Sequence, residues 1–292
     1  MIVIARYDAA VIGSGPAGLE AAINLKIRQK NFLLFGSEKL SSKLEKAPKI
    51  DNYLGFPDIT GMALKDQFLA HLENMDISIS VEQVTSLFSM GDYFALATNK
   101  NTYEATAVII ASGVVSSAPF PGEERLLGRG VGYCATCDAP LYRGKTVAIV
   151  GYGNEAAREA NFVSELAAKV YYIPAARHTV ELDPKVEVIS AKVEGIQGDV
   201  SVSTLKLSDR TLEADGVFIL RESISPTTLA PGIAMREGYI EVDHNMQTSI
   251  PGCFAAGDCT GKPHQYMRAA GQGQTAALNA VNYIDIQKKK NK

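Results

Sequence analysis

Four apolar residues, Ala9 to Ile12, run into a turn, Gly13-Ser14-Gly15-Pro16-Ala17-Gly18. Apolar positions spaced for a helix follow from about Leu19 to Arg28, then a second apolar run from Phe32 to Phe35. Short unbroken apolar runs bounded by turn residues predict strands buried on both faces, and strands alternating with helices predict a parallel sheet. The same order recurs. Thr146–Val150 reads as a strand, Gly151-Tyr152-Gly153-Asn154-Glu155-Ala156 as its turn, Asn154 to Ala167 as a helix and Lys169–Ile173 as the next strand. After Asp183-Pro184, "VEVISAKVEGI" is again strand-like. That leaves little room for the long crossover helix that usually joins parallel strands. The expected fold class is α/β, with two Rossmann-like (doubly wound) domains.

G-x-G-x-x-G between a strand and a helix is the pattern of a dinucleotide-binding unit. Gly13 permits the tight turn, Gly15 lets the backbone approach a pyrophosphate, and Gly18 allows close helix–strand packing. The helix N-terminus then turns free N–H groups toward the phosphates. Glu38 follows Gly36 past the second strand, where an acid either holds the ribose or faces solvent. The second turn has the same shape, with Ala156 in place of the third glycine, but no matching pocket. NAD needs an acid at the end of the second strand, and NADP an arginine near its 2′-phosphate. Ile173-Pro174-Ala175-Ala176 fills neither role; Arg177 and His178 are the next groups able to swing in.

The chain has 292 residues, 46% of them hydrophobic, and at ~100–200 residues per domain this suggests two domains. A net charge of −3 gives no bulk reason to expect nucleic acid. No stretch reaches the ~20 apolar residues of a membrane span. The opening "MIVIARYDAAVIGSGPAG" passes from a short apolar run into a glycine turn, unlike a signal peptide. The expectation is a cytoplasmic protein with no nucleic-acid or membrane partner. The C-terminal "KKKNK" reads as a frayed, solvated end.

Four cysteines in so long a chain make no disulfide scaffold. Cys134 and Cys137 form a C-x-x-C in "GYCATCD", which in a reducing compartment points to redox or metal chemistry rather than a staple. This spacing tends to lower a thiol pKa, and two cysteines three apart can attack a partner disulfide and resolve it intramolecularly. Asp138 can shuttle the proton if burial raises its pKa. Zinc would need four ligands; Cys253 and Cys259 read instead as small core residues, and no metal is expected. His71, His178 and His244 do not cluster.

Along nearly its whole length the chain resembles the low-molecular-weight thioredoxin reductases, homodimeric FAD enzymes. The resemblance is carried by "VIGSGPAG", "IDNYLGFP", "AVIIASG", "GYCATCDA", "GYGNEAARE" and "TSIPGCFAAGDCTG". The C-A-T-C-D run and the final A-A-G-D are the most specific. The resemblance implies an FAD-binding domain of residues 1–114 and 241–292. Inserted in it would be a redox domain, 115–240, carrying the C-x-x-C and a degenerate nicotinamide site, with Gly113 and Gly238 as hinge flanks. It further implies that Gly13, Ser14, Gly15, Pro16, Ala17 and Gly18 hold the FAD pyrophosphate. Glu38, Val84, Ala111, Ser112 and Gly113 would line the cofactor, and Asn52 would lie near the flavin. Gly257 and Asp258 would reach the ribityl chain, and His264, Gln265 and Tyr266 the pyrimidine edge. Cys134 and Cys137 would be the redox pair and Asp138 their acid/base.

The departures from that family matter as much. Its His-Arg-Arg run is replaced by Pro174-Ala175-Ala176. Its later Gly-rich segment reads "FILRESISP", with Leu220, Arg221 and Glu222, and its Gly-Gly-Gln loop is Ser41-Ser42-Lys43. This combination resembles the ferredoxin-dependent flavin thioredoxin reductases, a branch that lacks NADPH binding. It implies an FAD-dependent reductase of thioredoxin that draws electrons from ferredoxin, with no NADPH expected. Ferredoxins are generally acidic, so Lys39, Lys43, Lys46 and Lys49 read either as a docking patch or as a solvated loop. Three other readings stay open: an NADPH reductase using Arg177, a dithiol oxidase running the pair backwards onto oxygen, and a flavin redox sensor without turnover.

Overall fold

The structure, a computed structural model, describes residues 6–38, 40, 44, 47–114, 119–221 and 224–290, and the backbone alone of Cys137. The chain divides into two compact units, Met1–Val115 with Ser225–Lys292, and Ser116–Ile224.

The first unit begins with β1 (Arg6–Ile12), helix α1 (Pro16–Ile27) and β2 (Phe32–Phe35). Helix α2 (Gly61–Asn74) and strands β3 (Val84–Ser89), β4 (Phe94–Thr98) and β5 (Thr102–Ile110) follow. The sheet order is β2-β1-β5-β4-β3. β1 runs parallel to both neighbours, pairing Ile12 with Phe35 on one side and with Ile110 on the other. The chain therefore leaves β1 at a switch point, with a crevice outside the carboxyl ends of β1 and β5. α1 starts at Pro16, ahead of the Leu19 that spacing suggests. Proline fits a first helical position, where no N–H partner is needed.

The second unit holds β6 (Val131–Gly132), the short helix α3 (Ala135–Asp138), β7 (Thr146–Gly151), α4 (Asn154–Ser164), β8 (Lys169–Pro174) and β9 (Val186–Val188). A small antiparallel sheet follows, β10 (Val193–Gln197), β11 (Thr204–Leu207) and β12 (Thr211–Glu213), and then β13 (Gly216–Leu220). The main sheet is parallel, in the order β6-β13-β7-β8-β9. The apolar runs "VAIV" and "VFIL" lie at its centre, buried on both faces. Among the described residues no helix joins β8 to β9, as the crowded sequence there implies.

The sequence reading sets the return to the first unit at 241; the chain returns at Ser225. Helix α5 (Pro226–Leu229), capped by Ser225, packs on β3 and buries Leu229. Strands β14 (Met235–Arg236) and β15 (Tyr239–Ile240) form a hairpin beside the 3-10 turn Asp258–Thr260. Gly238, at φ +81 after Glu237 at φ +52, makes that hairpin's two-residue turn and flanks no crossing. β16 (Cys253–Ala255) then joins β5 in parallel, and α6 (Tyr266–Lys290) packs along α1. Small residues set that approach: a Cβ on Gly273 would lie 2.0 Å from the Ala17 carbonyl oxygen. The basic tail is helical through Lys290, not frayed, and Lys288 pairs with Asp8 at 2.6 Å.

Candidate functional site

The first glycine turn is fixed by close backbone packing. Gly13 sits at φ +120, and a Cβ there would lie 2.2 Å from the Ala111 carbonyl oxygen. A Cβ on Gly18 would lie 1.8 Å from the Gly13 carbonyl oxygen, whereas Gly15 faces open space. No side chain caps α1, so its first N–H groups stay available for an anion. Ser112, at the end of β5 beside Gly13, has a buried hydroxyl with no partner. Open helix donors, an open Gly15 and an orphaned buried hydroxyl at a switch-point crevice fit a dinucleotide such as FAD. Ser14 plays a different part: its Oγ donates to the Ser37 carbonyl (3.1 Å) and accepts the Ser37 N–H (2.9 Å), locking the loop after β2 to the turn. Glu38 is exposed in that loop. Val84 is buried where β3 begins, and the chain leading to it passes β2, with Ser80 bridging Phe35.

Asn52 and Gln265, far apart in sequence, meet: Asn52 Nδ2 donates to Gln265 Oε1 at 2.6 Å. Burial, then the nearby Asp258 charge, pushes the Tyr266 phenol up. His264 lies edge-on to Tyr239, with ring centroids 5.9 Å apart. Two residues missed in the sequence hold this loop. Gln272 Oε1 accepts the Gly257 N–H at 3.0 Å, and Arg268 Nη1 donates to the Gly261 carbonyl at 2.7 Å. Both sit on the first turns of α6, where polar residues pass for solvent-facing. Lys49 pairs with Asp51 (3.0 Å) and Asp58 (2.6 Å); Lys39, Lys43 and Lys46 lie outside the described residues.

In the second unit, Cys134 is buried and disulfide-bonded. The side chain of Cys137 is outside the described set. Asp138 is half-buried, and burial raises its carboxyl pKa. Its Oδ2 lies so near Gly132 that a Cβ there would come within 3.0 Å. Glu159, on α4, bonds the C-x-x-C turn: its Oε2 accepts the Thr136 N–H (3.1 Å) and Oγ1 (3.2 Å). The signal for it was a carboxylate on the apolar stripe of Ala156, Ala160 and Val163. Cys253 and Cys259 are free and fully buried, and burial pushes both thiols up to about 12. At neutral pH they stay protonated and inert, as small core residues should.

The loop after β8 bonds back to the second glycine turn. The Ala175 and Ala176 N–H groups donate to the Gly151 carbonyl (2.9 and 3.3 Å), and the Thr179 N–H to Asn154 Oδ1 (2.8 Å). Across the turn, Arg221 forms a two-point ion pair with Glu123, Nη2 to Oε2 being 2.8 Å. The guanidinium stands over the rings of Phe120 (5.2 Å) and Tyr152 (5.9 Å). Glu123 also accepts the Phe120 N–H (2.7 Å) and the Tyr133 hydroxyl (3.1 Å). Arg177 is exposed; His178 bonds the Val180 carbonyl and leans edge-on against Tyr172.

Comparison with known proteins agrees with this geometry. The family described as Pyridine nucleotide-disulphide oxidoreductase matches residues 7–273. A thioredoxin reductase of Listeria innocua is 32% identical over 300 residues, covering 96% of this chain and 94% of that one. A crystal structure of a ferredoxin-flavin thioredoxin reductase from Clostridium acetobutylicum is 58% identical with a TM-score of 0.93, covering 98% of this chain and 99% of that one. A second structure under the same description, also from Clostridium acetobutylicum, is 53% identical with a TM-score of 0.88, covering 96% and 99%.

Proposed function

The chain belongs to the pyridine nucleotide-disulphide oxidoreductase family, and on that premise we propose that it is a flavin-dependent reductase of thioredoxin supplied by reduced ferredoxin rather than NADPH. The solved relatives at 58% and 53% identity, both ferredoxin-flavin thioredoxin reductases, support the donor. The observation that carries the nicotinamide-independent part is the second glycine turn, where the Thr179 N–H is bonded to Asn154, the Glu123–Arg221 pair stands beside Tyr152, and the end of β8 offers no acid or arginine. The dithiol-oxidase and sensor readings have no observation in their favour.

FAD, when bound, accepts electrons singly and passes them on in pairs. Gly13 to Gly18 and Ser112 would hold its nucleotide part, Asp258 its ribityl chain, and Asn52, Gln265 and Tyr266 would orient its ring system. Cys134 and Cys137 are the redox pair. In the reduced pair, one thiolate attacks the thioredoxin disulfide, forming a mixed disulfide and releasing one thioredoxin thiol. The second cysteine then attacks that mixed disulfide. The pair ends as a disulfide and thioredoxin as a dithiol, with two electrons transferred. Asp138, its carboxyl raised by burial, gives and takes the protons at the pair. The protein is proposed to be a cytoplasmic homodimer; among the described residues no helix is long and apolar enough to cross a membrane.

The test is anaerobic. Purified protein receives excess NADPH, then NADH, then reduced ferredoxin, while the flavin's visible absorbance is followed. Bleaching by ferredoxin alone is expected. Bleaching by NADPH would overturn the nicotinamide-independent reading and favour Arg177 as a phosphate anchor. Ferredoxin docking is proposed at Lys39, Lys43, Lys46 and Lys49, of which Lys49 also pairs with Asp51 and Asp58. Lys43→Gln with Lys46→Gln should slow reduction by ferredoxin mainly at low salt.

A further inference from the structure

Glu159 reaches the redox turn from the helix that follows the second glycine turn. It is 8% exposed, and among the described residues no cation pairs with it. Its partners are donors of the C-x-x-C turn: the Thr136 N–H and hydroxyl, and the Ala135 N–H. Burial pushes its carboxyl up, and these donors pull it back. A carboxylate so placed is costly unless its hydrogen bonds are made. Cys134 precedes α3, where a serine or aspartate would ordinarily cap the first turn. Glu159 supplies that cap from another helix.

The cap has a chemical consequence. N–H groups at the start of a helix that carries a cysteine ordinarily stabilise its thiolate. Here those of Ala135 and Thr136 are taken by a carboxylate, which also adds negative charge beside the pair. A dithiol whose thiolates are less stabilised is the stronger reductant.

We infer that Glu159 is a positioning residue that holds the Cys134-Ala135-Thr136-Cys137 turn by its backbone N–H groups and keeps the reduced pair strongly reducing. The inference rests on reading Cys134 and Cys137 as the redox pair. It also gives the second glycine unit a task that needs no nicotinamide: α4 is the arm that carries Glu159.

The experiment equilibrates the flavin-loaded protein with graded ratios of reduced and oxidised dithiothreitol, then counts thiols at the pair by alkylation. The disulfide takes two electrons and two protons to become two thiols, while dithiothreitol gives them up and closes to its cyclic disulfide. Glu159→Gln keeps an acceptor for the Thr136 donors and removes the charge. It should move the equilibrium toward the dithiol about tenfold, equivalent to ~30 mV for a two-electron couple. Flavin content and circular dichroism should stay as in the wild type, and thioredoxin reduction should slow. Glu159→Ala should shift it the same way. A wild-type equilibrium in both variants overturns the inference and leaves the redox-pair reading standing. A wild-type protein that takes up no electrons at Cys134 and Cys137 overturns that reading and the inference with it.

Discussion

At Gly13–Gly18 the Ser14 side chain ties the loop after the second strand to the turn, bonding both the N–H and the carbonyl of Ser37. At Gly151–Ala156 the corresponding loop folds back on the turn itself. It spends the Gly151 carbonyl on Ala175 and Ala176, and Asn154, the first residue of α4, on Thr179. Strand, turn and helix are alike in both. What differs is what the neighbouring strand ends send back over the turn. The first leaves a buried Ser112 hydroxyl without a partner, while the helix after either turn starts without a side-chain cap. The second fills its mouth with an Arg221 guanidinium between Phe120 and Tyr152. A glycine motif is thus a scaffold for a nucleotide site, and the loops beyond it decide whether the site exists.

The largest effect that could break this comparison lies at Gly18. A valine there puts its Cβ 1.8 Å from the Gly13 carbonyl, a backbone atom that cannot yield. Gly18→Val is expected to cost about 4–5 kcal/mol or more and to bring flavin content to background, read by absorbance after desalting. Gly151→Ala meets instead the fully buried Tyr172 ring, with its hydroxyl, Cε2 and Cζ at 2.3–2.5 Å. It should cost about 1–3 kcal/mol through overpacking and leave flavin content unchanged. Loss of flavin from Gly151→Ala alone would mean that the wrong turn has been assigned to the cofactor.

Next in size is Arg221→Ala. Glu123 is 1% exposed and would be left charged and unpaired. Chemical denaturation should show a loss of about 3–5 kcal/mol. Removing both charges, as Glu123→Gln with Arg221→Met, should recover much of it. Neither variant should let NADPH bleach the flavin, because Ala175 and Ala176 still offer no anchor for its phosphate.

Much of this was legible in the sequence. Both strand–turn–helix–strand units follow from apolar run length and glycine position, and β2, β7 and β8 fall within a residue of their expected bounds. The second crossing was not legible. The stretch 225–240 has no periodicity of its own, and its place with the first unit depends on α5 packing against β3. The contents of the second turn were half legible. Absent anchors can be read from Pro174-Ala175-Ala176, but Glu123 lies 98 positions from Arg221, and nothing local pairs them. Glu159 and Gln272 were missed for the same reason, since their partners come from other elements.

A smaller effect asks whether the second unit has kept thiol chemistry in place of nucleotide binding. Burial raises the Asp138 carboxyl, so the folded protein holds that proton over a window in which the unfolded chain has lost it. Its contribution to stability is therefore full below the ordinary carboxylate pKa and falls away as pH rises through the raised value. Asp138→Asn should flatten that part of the stability–pH profile. It should also slow thioredoxin reduction by roughly 100-fold if the carboxyl is the general acid/base. A flattened profile with wild-type turnover would leave Asp138 a structural residue.

The smallest effects make the sharpest pair, because Ser14 and Asn154 are equivalent ties at the two turns. Each binds the loop that follows the second strand of its unit through a side-chain oxygen, Ser14 at 2.9 Å to the Ser37 N–H and Asn154 at 2.8 Å to the Thr179 N–H. Each partner sits in an exposed segment, so alanine at either position should cost only about 0.5–1.5 kcal/mol in unfolding free energy. Their functional consequences should separate. In Ser14→Ala the loop carrying Ser37 and Glu38 is released beside the open crevice, so flavin should dissociate faster, as followed by the return of its free fluorescence. In Asn154→Ala the released loop uncovers a turn whose surroundings still lack a nucleotide anchor and still hold the Glu123–Arg221 pair. Flavin retention and turnover with ferredoxin should therefore match the wild type. If the two alanine variants lose flavin equally, the turns are coupled, and the division between an open site and a filled one is not what sets the cofactor.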